Sequence, residues 1–231
     1  PSALDTKQIA DRATSSVAAA PRRELWIENG KLIQETEQPA AMTLNDEWDV
    51  TFQPNRGAPA SVRLARLTDL SRHADEGIRH FSGTASYRKT FNAPRTTLHA
   101  SRQFLDLGEV RNLAEVIVNG RNLGVLWKQP FRLDITGALK DGANELEIRV
   151  TNLWVNRLIG DAKKMAALGV TYHDRNDVIS KWPAWVPQDA PPADAPVSFA
   201  TWRQLDGTEP LQPSGLIGPV MLRAMERVNA K

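Results

Sequence analysis

Hydrophobic and polar residues alternate with a period of two along much of the chain from Trp48 onward. The clearest stretches are residues 48–52 (WDVTF) and residues 144–151 (NELEIRVT). Successive side chains of a strand point to opposite faces of a sheet, so this alternation predicts strands with one buried and one solvated face. Trp48 is therefore expected in the core. The same period predicts further strands in residues 62–64, 85–91, 114–125, 131–135 and 220–224.

Turn residues separate these strands. Asn119-Gly120 divides residues 114–125 into a hairpin, because Asn-Gly adopts the positive φ angles of a tight turn at little cost. Asn29-Gly30 predicts a second hairpin over residues 24–34 in the same way. We expect about eight to ten short strands and only one convincing internal helix, which favours an all-β jelly-roll sandwich over a layered α/β fold.

Two segments depart from the alternation. Residues 155–168 carry apolar side chains at helical spacing, interrupted by Gly160, and predict a short helical insertion. Residues 182–196 (WPAWVPQDAPPADAP) hold too many prolines for a central strand and predict a long irregular surface loop. We assign residues 1–44 to a linker or extension with a short hairpin, and residues 45–228 to the β-sandwich domain.

Composition excludes several classes of protein. The 231 residues include 29 basic and 27 acidic side chains, and the basic ones are scattered, so no nucleic-acid-binding surface is predicted. The absence of cysteine excludes disulfide bonds and thiolate metal sites. No apolar run reaches the roughly 18 residues of a membrane span, so no membrane partner is predicted. The first residue is proline rather than methionine, and we expect a fragment of a longer polypeptide.

Four segments together resemble one family of carbohydrate-active proteins. Residues 83–91 (GTASYRKTF) and 107–136 (LGEVRNLAEVIVNGRNLGVLWKQPFRLDIT) are similar to the sugar-binding domains of glycoside hydrolase family 2, which are galactose-binding-like jelly rolls. Residues 151–161 (TNLWVNRLIGD) and 213–222 (PSGLIGPVML) narrow the similarity to the C-terminal β-sandwich region of the α-L-rhamnosidases of glycoside hydrolase family 106. The resemblance extends over roughly residues 45–225.

The resemblance implies a non-catalytic accessory module of a larger bacterial glycoside hydrolase. In that rhamnosidase family the catalytic carboxylates and the calcium ligands are expected on a separate barrel domain upstream. This sequence shows no alternating strand and helix repeat that could build a barrel, so we predict that the chain alone is not an enzyme. The resemblance also implies a periplasmic or secreted protein, with the parent's catalytic domain and carbohydrate as partners.

Few residues qualify for catalysis or metal binding. Hydrolysis of a glycoside needs two carboxyl groups about 5–10 Å apart. Four carboxylates in or near the helical insertion and the proline-rich loop are candidates, although loop carboxylates are usually solvated: Asp161, Asp174, Asp177 and Asp194. The four histidines lack metal-ligand spacing: His73, His80, His99 and His173. We predict no catalytic residue, metal ligand or cofactor, and leave a structural calcium ion open.

Carbohydrate binding uses aromatic faces and planar polar side chains, and the sequence offers both. Trp127 and Lys128 stand where a strand gives way to a loop, and His173 belongs to the polar segment TYHDRND. Nine residues are candidates for contacts with carbohydrate or with a neighbouring domain: Trp127, Lys128, Trp154, Asn156, Arg157, Asp161, His173, Trp182 and Trp185.

Some of these candidates have two interpretations. Arg157 and Asp161, four residues apart, form either an ion pair worth a few tenths of a kcal/mol or part of a surface that shapes the parent enzyme's pocket. Trp182, Trp185 and Trp202 either pin the proline-rich loop to the sandwich or form an exposed sugar platform.

Two other functions stay open beside the accessory module. An independent carbohydrate-binding module would show a groove lined by tryptophans. A small hydrolase would bring two carboxylates together in a pocket, with the pKa of one strongly perturbed. An exposed apolar patch would favour a module packed on a catalytic domain, because isolated soluble domains rarely expose one. The sequence does not indicate which sugar is bound.

Overall fold

A computed structural model of the chain describes residues 23–28, 31–38, 42–188, 192, 195–198 and 200–228. The described residues form sixteen strands: β1 Arg23–Glu28, β2 Lys31–Glu37, β3 Met42–Thr43, β4 Asp46–Phe52, β5 Ser61–Arg66, β6 Thr84–Asn92, β7 Arg102–Asp106, β8 Glu109–Arg111, β9 Leu113–Val118, β10 Arg121–Leu126, β11 Arg132–Asp134, β12 Ala143–Thr151, β13 Thr171–Tyr172, β14 Ile179–Lys181, β15 Gly215–Gly218 and β16 Met221–Arg227. More strands are observed than the eight to ten predicted, because some have only two to four residues, too few to show an alternation of hydrophobic and polar side chains.

The long strands form two six-stranded antiparallel sheets. One sheet has the order β1-β2-β16-β7-β11, with β3 also paired to β16, and the other has the order β10-β9-β12-β6-β4-β5. Two small sheets, β8-β15 and β13-β14, complete the structure. The all-β sandwich predicted from the alternating residues is confirmed. The β1-β2 hairpin joins the first sheet through pairs such as Glu37 with Met225, and the division at residue 44 stays a prediction.

The core lies between the two large sheets. Trp48 and Tyr87 from one sheet and Leu105 and Leu222 from the other are all at most 1% exposed. The indole nitrogen of Trp48 donates to the carbonyl of Leu44 at 2.9 Å, so the one polar atom of this buried ring has an acceptor. The prediction that Trp48 belongs to the core is confirmed.

The Asn119-Gly120 turn lies where the sequence predicts it, whereas the predicted Asn29-Gly30 turn lies outside the described residues. Asn119 and Gly120 have φ angles of 51° and 78° and connect β9 to β10, as expected of an Asn-Gly hairpin. Gly215 has a φ of 91°. A Cβ at this position would lie 2.5 Å from the hydroxyl oxygen of Tyr87, which accepts a hydrogen bond from the Leu216 backbone at 3.2 Å. Glycine therefore lets β15 approach the core.

Helices occupy the connections between strands. The predicted insertion is observed as the 13-residue helix Val155–Ala167. Three one-turn helices were not expected, because a single turn carries no periodic signal. In the part of the proline-rich segment that the structure describes, no strand is found and one of these turns is present. In chain order the helices are α1 Glu76–Arg79, α2 Arg95–Leu98, α3 Val155–Ala167 and α4 Trp185–Gln188.

Candidate functional site

The segment that joins β12 to α3 is fixed by two asparagine side chains. Asn152 accepts a hydrogen bond from the Gly83 backbone at 2.8 Å and donates to Phe81 O at 2.8 Å and Ser214 Oγ at 2.6 Å. Asn156, one turn later, donates to Gln212 O at 2.7 Å and accepts from Gln212 N at 2.8 Å. These bonds hold the start of α3 against two distant parts of the chain.

A polar cleft opens between these elements. It has a volume of about 310 Å³ and is bordered by the end of β8, the start of α3 and residues 212–214. We call it the motif cleft, since most of its lining comes from residues 151–161 and 213–222, the two segments that resemble the rhamnosidase family. Its polar lining includes Arg111, Asn112, Asn152, Asn156, Gln212 and Ser214.

Leu153 lines the motif cleft, and two further exposed apolar residues, Leu113 and Trp154, are sequence neighbours of lining residues. Leu113 is 42% exposed, Leu153 is 58% exposed and Trp154 is 47% exposed. Leu113 pairs with Thr151 across β9 and β12, which puts it beside the same segment. The Arg56 guanidinium lies 4.8 Å from the centre of the Trp154 ring. We call Leu113, Leu153 and Trp154 the apolar rim.

The polar residues of α3 turn inward. Arg157 Nη2 lies 3.0 Å from Asp161 Oδ1, and both side chains are 3% exposed. The second oxygen of Asp161 accepts hydrogen bonds from Ser198 N at 2.6 Å and Ser198 Oγ at 2.7 Å. Of the two interpretations of these residues, the ion pair is observed, and it is buried. The few tenths of a kcal/mol typical of exposed helical pairs do not apply to it, because a buried pair has lost its hydration and depends on its partners. Asn156, which is 2% exposed, likewise makes internal bonds.

The other predicted contact residues lie on different elements. Trp127, 66% exposed, follows the edge strand β10, and the exposed Lys128 ammonium is 5.3 Å from its ring centre. His173 is exposed in the turn between β13 and β14. Trp182 is 50% exposed and Trp185 is half-buried. Their contact roles, like those of Trp154, Asn156, Arg157 and Asp161, stay predictions.

The candidate carboxylates of the loops are mostly on the surface. Asp174 is exposed, and Asp177 pairs with Arg203, with side chains 46% and 51% exposed. Asp194 lies outside the described residues. Among the residues that the structure describes, no group of three or more His, Cys, Asp or Glu side chains could hold a metal ion. Within the same residues, no helix has the length and apolar character needed to cross a membrane.

Several site residues were missed by the sequence analysis. They are Asn152, Gln212 and Ser214. Asn152 bonds to Ser214 across 62 residues of sequence, and a single sequence carries no signal for such pairing. Asn152 and Ser214 do lie inside residues 151–161 and 213–222, the two segments that resemble the rhamnosidase family. The motifs therefore mark the motif cleft, although they do not reveal which side chains build it.

Comparison with known proteins identifies relatives that match most of the chain. The family model for the glycosyl hydrolase 2 galactose-binding domain-like family matches residues 69–185, just over half of the chain. A provisionally named beta-glucuronidase of Formosa agariphila is 40% identical over 200 residues, which are 85% of this chain and 17% of that protein. The structure of the rhamnosidase from Novosphingobium sp. PP1Y matches 90% of this chain and 16% of its own, with a TM-score of 0.65 and 38% identity.

The chain thus spans only 17% and 16% of the lengths of these two relatives. Both relatives carry the names of glycoside hydrolases, and the predicted resemblance to a galactose-binding-like module of such enzymes is confirmed. The fold agrees, since the described strands form a jelly-roll type sandwich of two antiparallel sheets. The chain belongs to the glycosyl hydrolase 2 galactose-binding domain-like family.

Proposed function

We propose that the chain is a non-catalytic accessory module of a larger, α-L-rhamnosidase-like glycoside hydrolase, and that it packs on the catalytic domain of the same polypeptide. The apolar rim carries this proposal. Leu113, Leu153 and Trp154 are each more than 40% exposed; Leu153 lines the motif cleft, and the other two are sequence neighbours of its lining residues. Contiguous exposed apolar surface is uncommon on isolated domains and is typical of interfaces. The small share of each relative that the chain spans is consistent with a missing partner domain.

The motif cleft gives this interface polar recognition. Asn152 and Asn156 are already engaged in internal hydrogen bonds, so they are rigid. Arg111 is exposed and pairs with Glu109 at 2.7 Å. A loop of the catalytic domain that enters the cleft would find fixed polar walls beside exposed apolar side chains, and interfaces combine apolar contacts with direct hydrogen bonds. A periplasmic or secreted location follows by analogy with the rhamnosidase family.

The rhamnosidase-like assignment rests on the extent of the match. The Novosphingobium rhamnosidase aligns with 90% of the chain at 38% identity. A provisionally named beta-glucuronidase has similar identity to the chain, so we do not assign the sugar from the module itself. Function resides in sites rather than in folds, so the substrate class belongs to the catalytic domain.

The experiment tests association. The chain and the remainder of its parent polypeptide are produced as separate proteins and titrated by calorimetry. Leu153→Asp together with Trp154→Asp should weaken association at least about tenfold, because charged groups would be desolvated in the interface. Val125→Asp, at an exposed apolar side chain on β10, is the matched control. Absence of association, or equal losses from both changes, would contradict the proposal.

A second candidate function is an independent carbohydrate-binding module. The exposure of Trp127, Trp154, Trp182 and Trp202, between 47% and 66%, favours it. These rings lie on different elements rather than along one described groove, and this makes the accessory module the better-supported proposal. Binding of a neutral oligosaccharide that is lost on replacing one of these tryptophans with alanine would favour the second candidate instead.

A further inference from the structure

A second cleft, distinct from the motif cleft, lies between α1, α3 and the β4-β5 connection. Its volume is about 300 Å³. It is lined by one face of α3, by the end of α1 at His80, and by Gly57. We call it the basic cleft. It shares no lining residue with the motif cleft among the described residues.

The wall of the basic cleft contains a buried guanidinium with unused donors. Arg157 lines the cleft although its side chain is only 3% exposed. One terminal nitrogen pairs with Asp161 at 3.0 Å, while Nε has no hydrogen-bond partner in the described part of the chain. A guanidinium carries five N–H donors and no acceptor. A buried donor without an acceptor is costly, and a ligand that offers oxygen atoms would relieve that cost.

Glycines shape the cleft around this guanidinium. A Cβ at Gly57 would lie 2.6 Å from Arg157 Nη1, and a Cβ at Gly160 would lie 2.9 Å from Arg157 Nη2. A Cβ at Gly160 would also lie 2.7 Å from the His80 ring. Any larger residue at either position would push the guanidinium or the imidazole aside. The backbone therefore holds Arg157 and His80 next to each other in the wall.

The charge of the cleft is predominantly positive. Lys163 and Lys164 line it beside Arg157, whose charge is paired with the buried Asp161. Glu76 is the one carboxylate among its described lining residues. Neither lysine forms an ion pair in the part of the chain that the structure describes. The pKa of His80 is lowered, mainly by burial and also by the positive charges of Arg157 and Arg79, against an opposing hydrogen bond to Glu76 O.

We propose that the basic cleft binds an acidic sugar through its carboxylate. The carboxylate accepts hydrogen bonds from the unused N–H groups of Arg157, and the two lysine ammonium groups add attraction at the mouth. Charge-assisted hydrogen bonds of this kind are stronger than neutral ones. The cleft volume is at the lower end of the range for ligand sites and suits a single sugar ring. The inference does not depend on docking to a catalytic domain.

The test compares two sugars that differ by one carboxylate. The 231-residue chain is titrated with D-galacturonate and with D-galactose at low salt. We expect saturable millimolar binding of galacturonate that weakens as salt is raised, and much weaker binding of galactose. Lys163→Gln with Lys164→Gln should reduce the affinity for galacturonate about tenfold. Lys140→Gln, at an exposed lysine outside the cleft, should leave it unchanged, and circular dichroism shows that each variant is folded.

Four results would overturn the proposal. They are equal binding of both sugars, no binding of galacturonate at millimolar concentration, equal affinity in the double lysine variant, and inorganic sulfate that binds as tightly as galacturonate. The last result would show a site for a bare anion rather than for a sugar. Because docking is not involved, each of these outcomes leaves the proposed accessory function to be judged by its own association experiment.

Discussion

Arg157 and Asp161 lie one helical turn apart on α3 and form an ion pair of 3.0 Å in which each side chain is 3% exposed. The pair is not isolated, since Ser198 donates two hydrogen bonds to Asp161. Asp161 thereby connects α3 to the segment that follows the proline-rich loop. Buried charges of this kind depend on each other, because either one alone would be left without compensation in a medium of low polarity.

Replacing one member of this pair should destabilise the protein. Asp161→Asn keeps the size of the side chain but leaves the Arg157 charge buried and unpaired, so we expect a loss of about 3–5 kcal/mol in the free energy of unfolding. Urea denaturation measures it. Asp177→Asn removes the exposed ion pair with Arg203 and should cost less than about 1 kcal/mol. Similar losses in the two variants would show that burial of the first pair has no energetic consequence.

Gly215→Ala should destabilise the protein by more than the cost of placing alanine in a left-handed backbone conformation. Gly215 has a φ of 91°, and a Cβ there would lie 2.5 Å from Tyr87 Oη and 2.8 Å from Leu70 Cγ. We expect a loss of about 2–4 kcal/mol, because overpacking of a core adds to the cost of a left-handed conformation. Gly142→Ala, at a φ of 83° with no atom within 4 Å, isolates the conformational part. It should cost about 1 kcal/mol, and thermal unfolding distinguishes the two.

The stability of the fold should depend on pH through His80. Burial, followed by the charges of Arg157 and Arg79, lowers the pKa of this imidazole below its ordinary value of 6.5. The unfolded chain therefore binds the proton more readily than the folded chain. The contribution of His80 to the free energy of unfolding is constant above pH 6.5. Below pH 6.5 the free energy of unfolding decreases as the pH falls towards the pKa of His80 in the folded protein.

His80→Gln should remove this component. Because glutamine does not titrate in this range, the slope of unfolding free energy against pH just below 6.5 should be shallower than in the unchanged protein. His173→Gln, on an exposed turn, controls for the loss of a histidine as such. A His80→Gln profile parallel to that of the unchanged protein would mean that the environment of His80 has no influence on its titration.

The sheets could be predicted because their signal is local. The alternation in residues 48–52 and 144–151 appears in β4 and β12 with Trp48, Ile148 and Val150 buried. Asn119-Gly120 forms its hairpin because the conformation is a property of those two residues.

The polar interior of α3 could not be predicted in the same way. Asn156 finds its partner Gln212 at a separation of 56 residues, and Asp161 finds Ser198 at a separation of 37 residues. Polar residues at these positions suggested a surface contact, because polar side chains are rarely buried without partners. The partners become visible only when the chain is folded. The motif cleft escaped prediction for the same reason, since its walls come from three distant segments.

The most direct test of the accessory role is a hydrolysis assay with an aryl α-L-rhamnoside. Three samples are compared at equal molar concentration: the 231-residue chain, the remainder of the parent polypeptide, and the two mixed together. We predict no turnover by the chain alone, and turnover only in samples that contain the remainder. Turnover by the purified chain alone would contradict the account, because the bond-breaking groups would then lie within this sandwich.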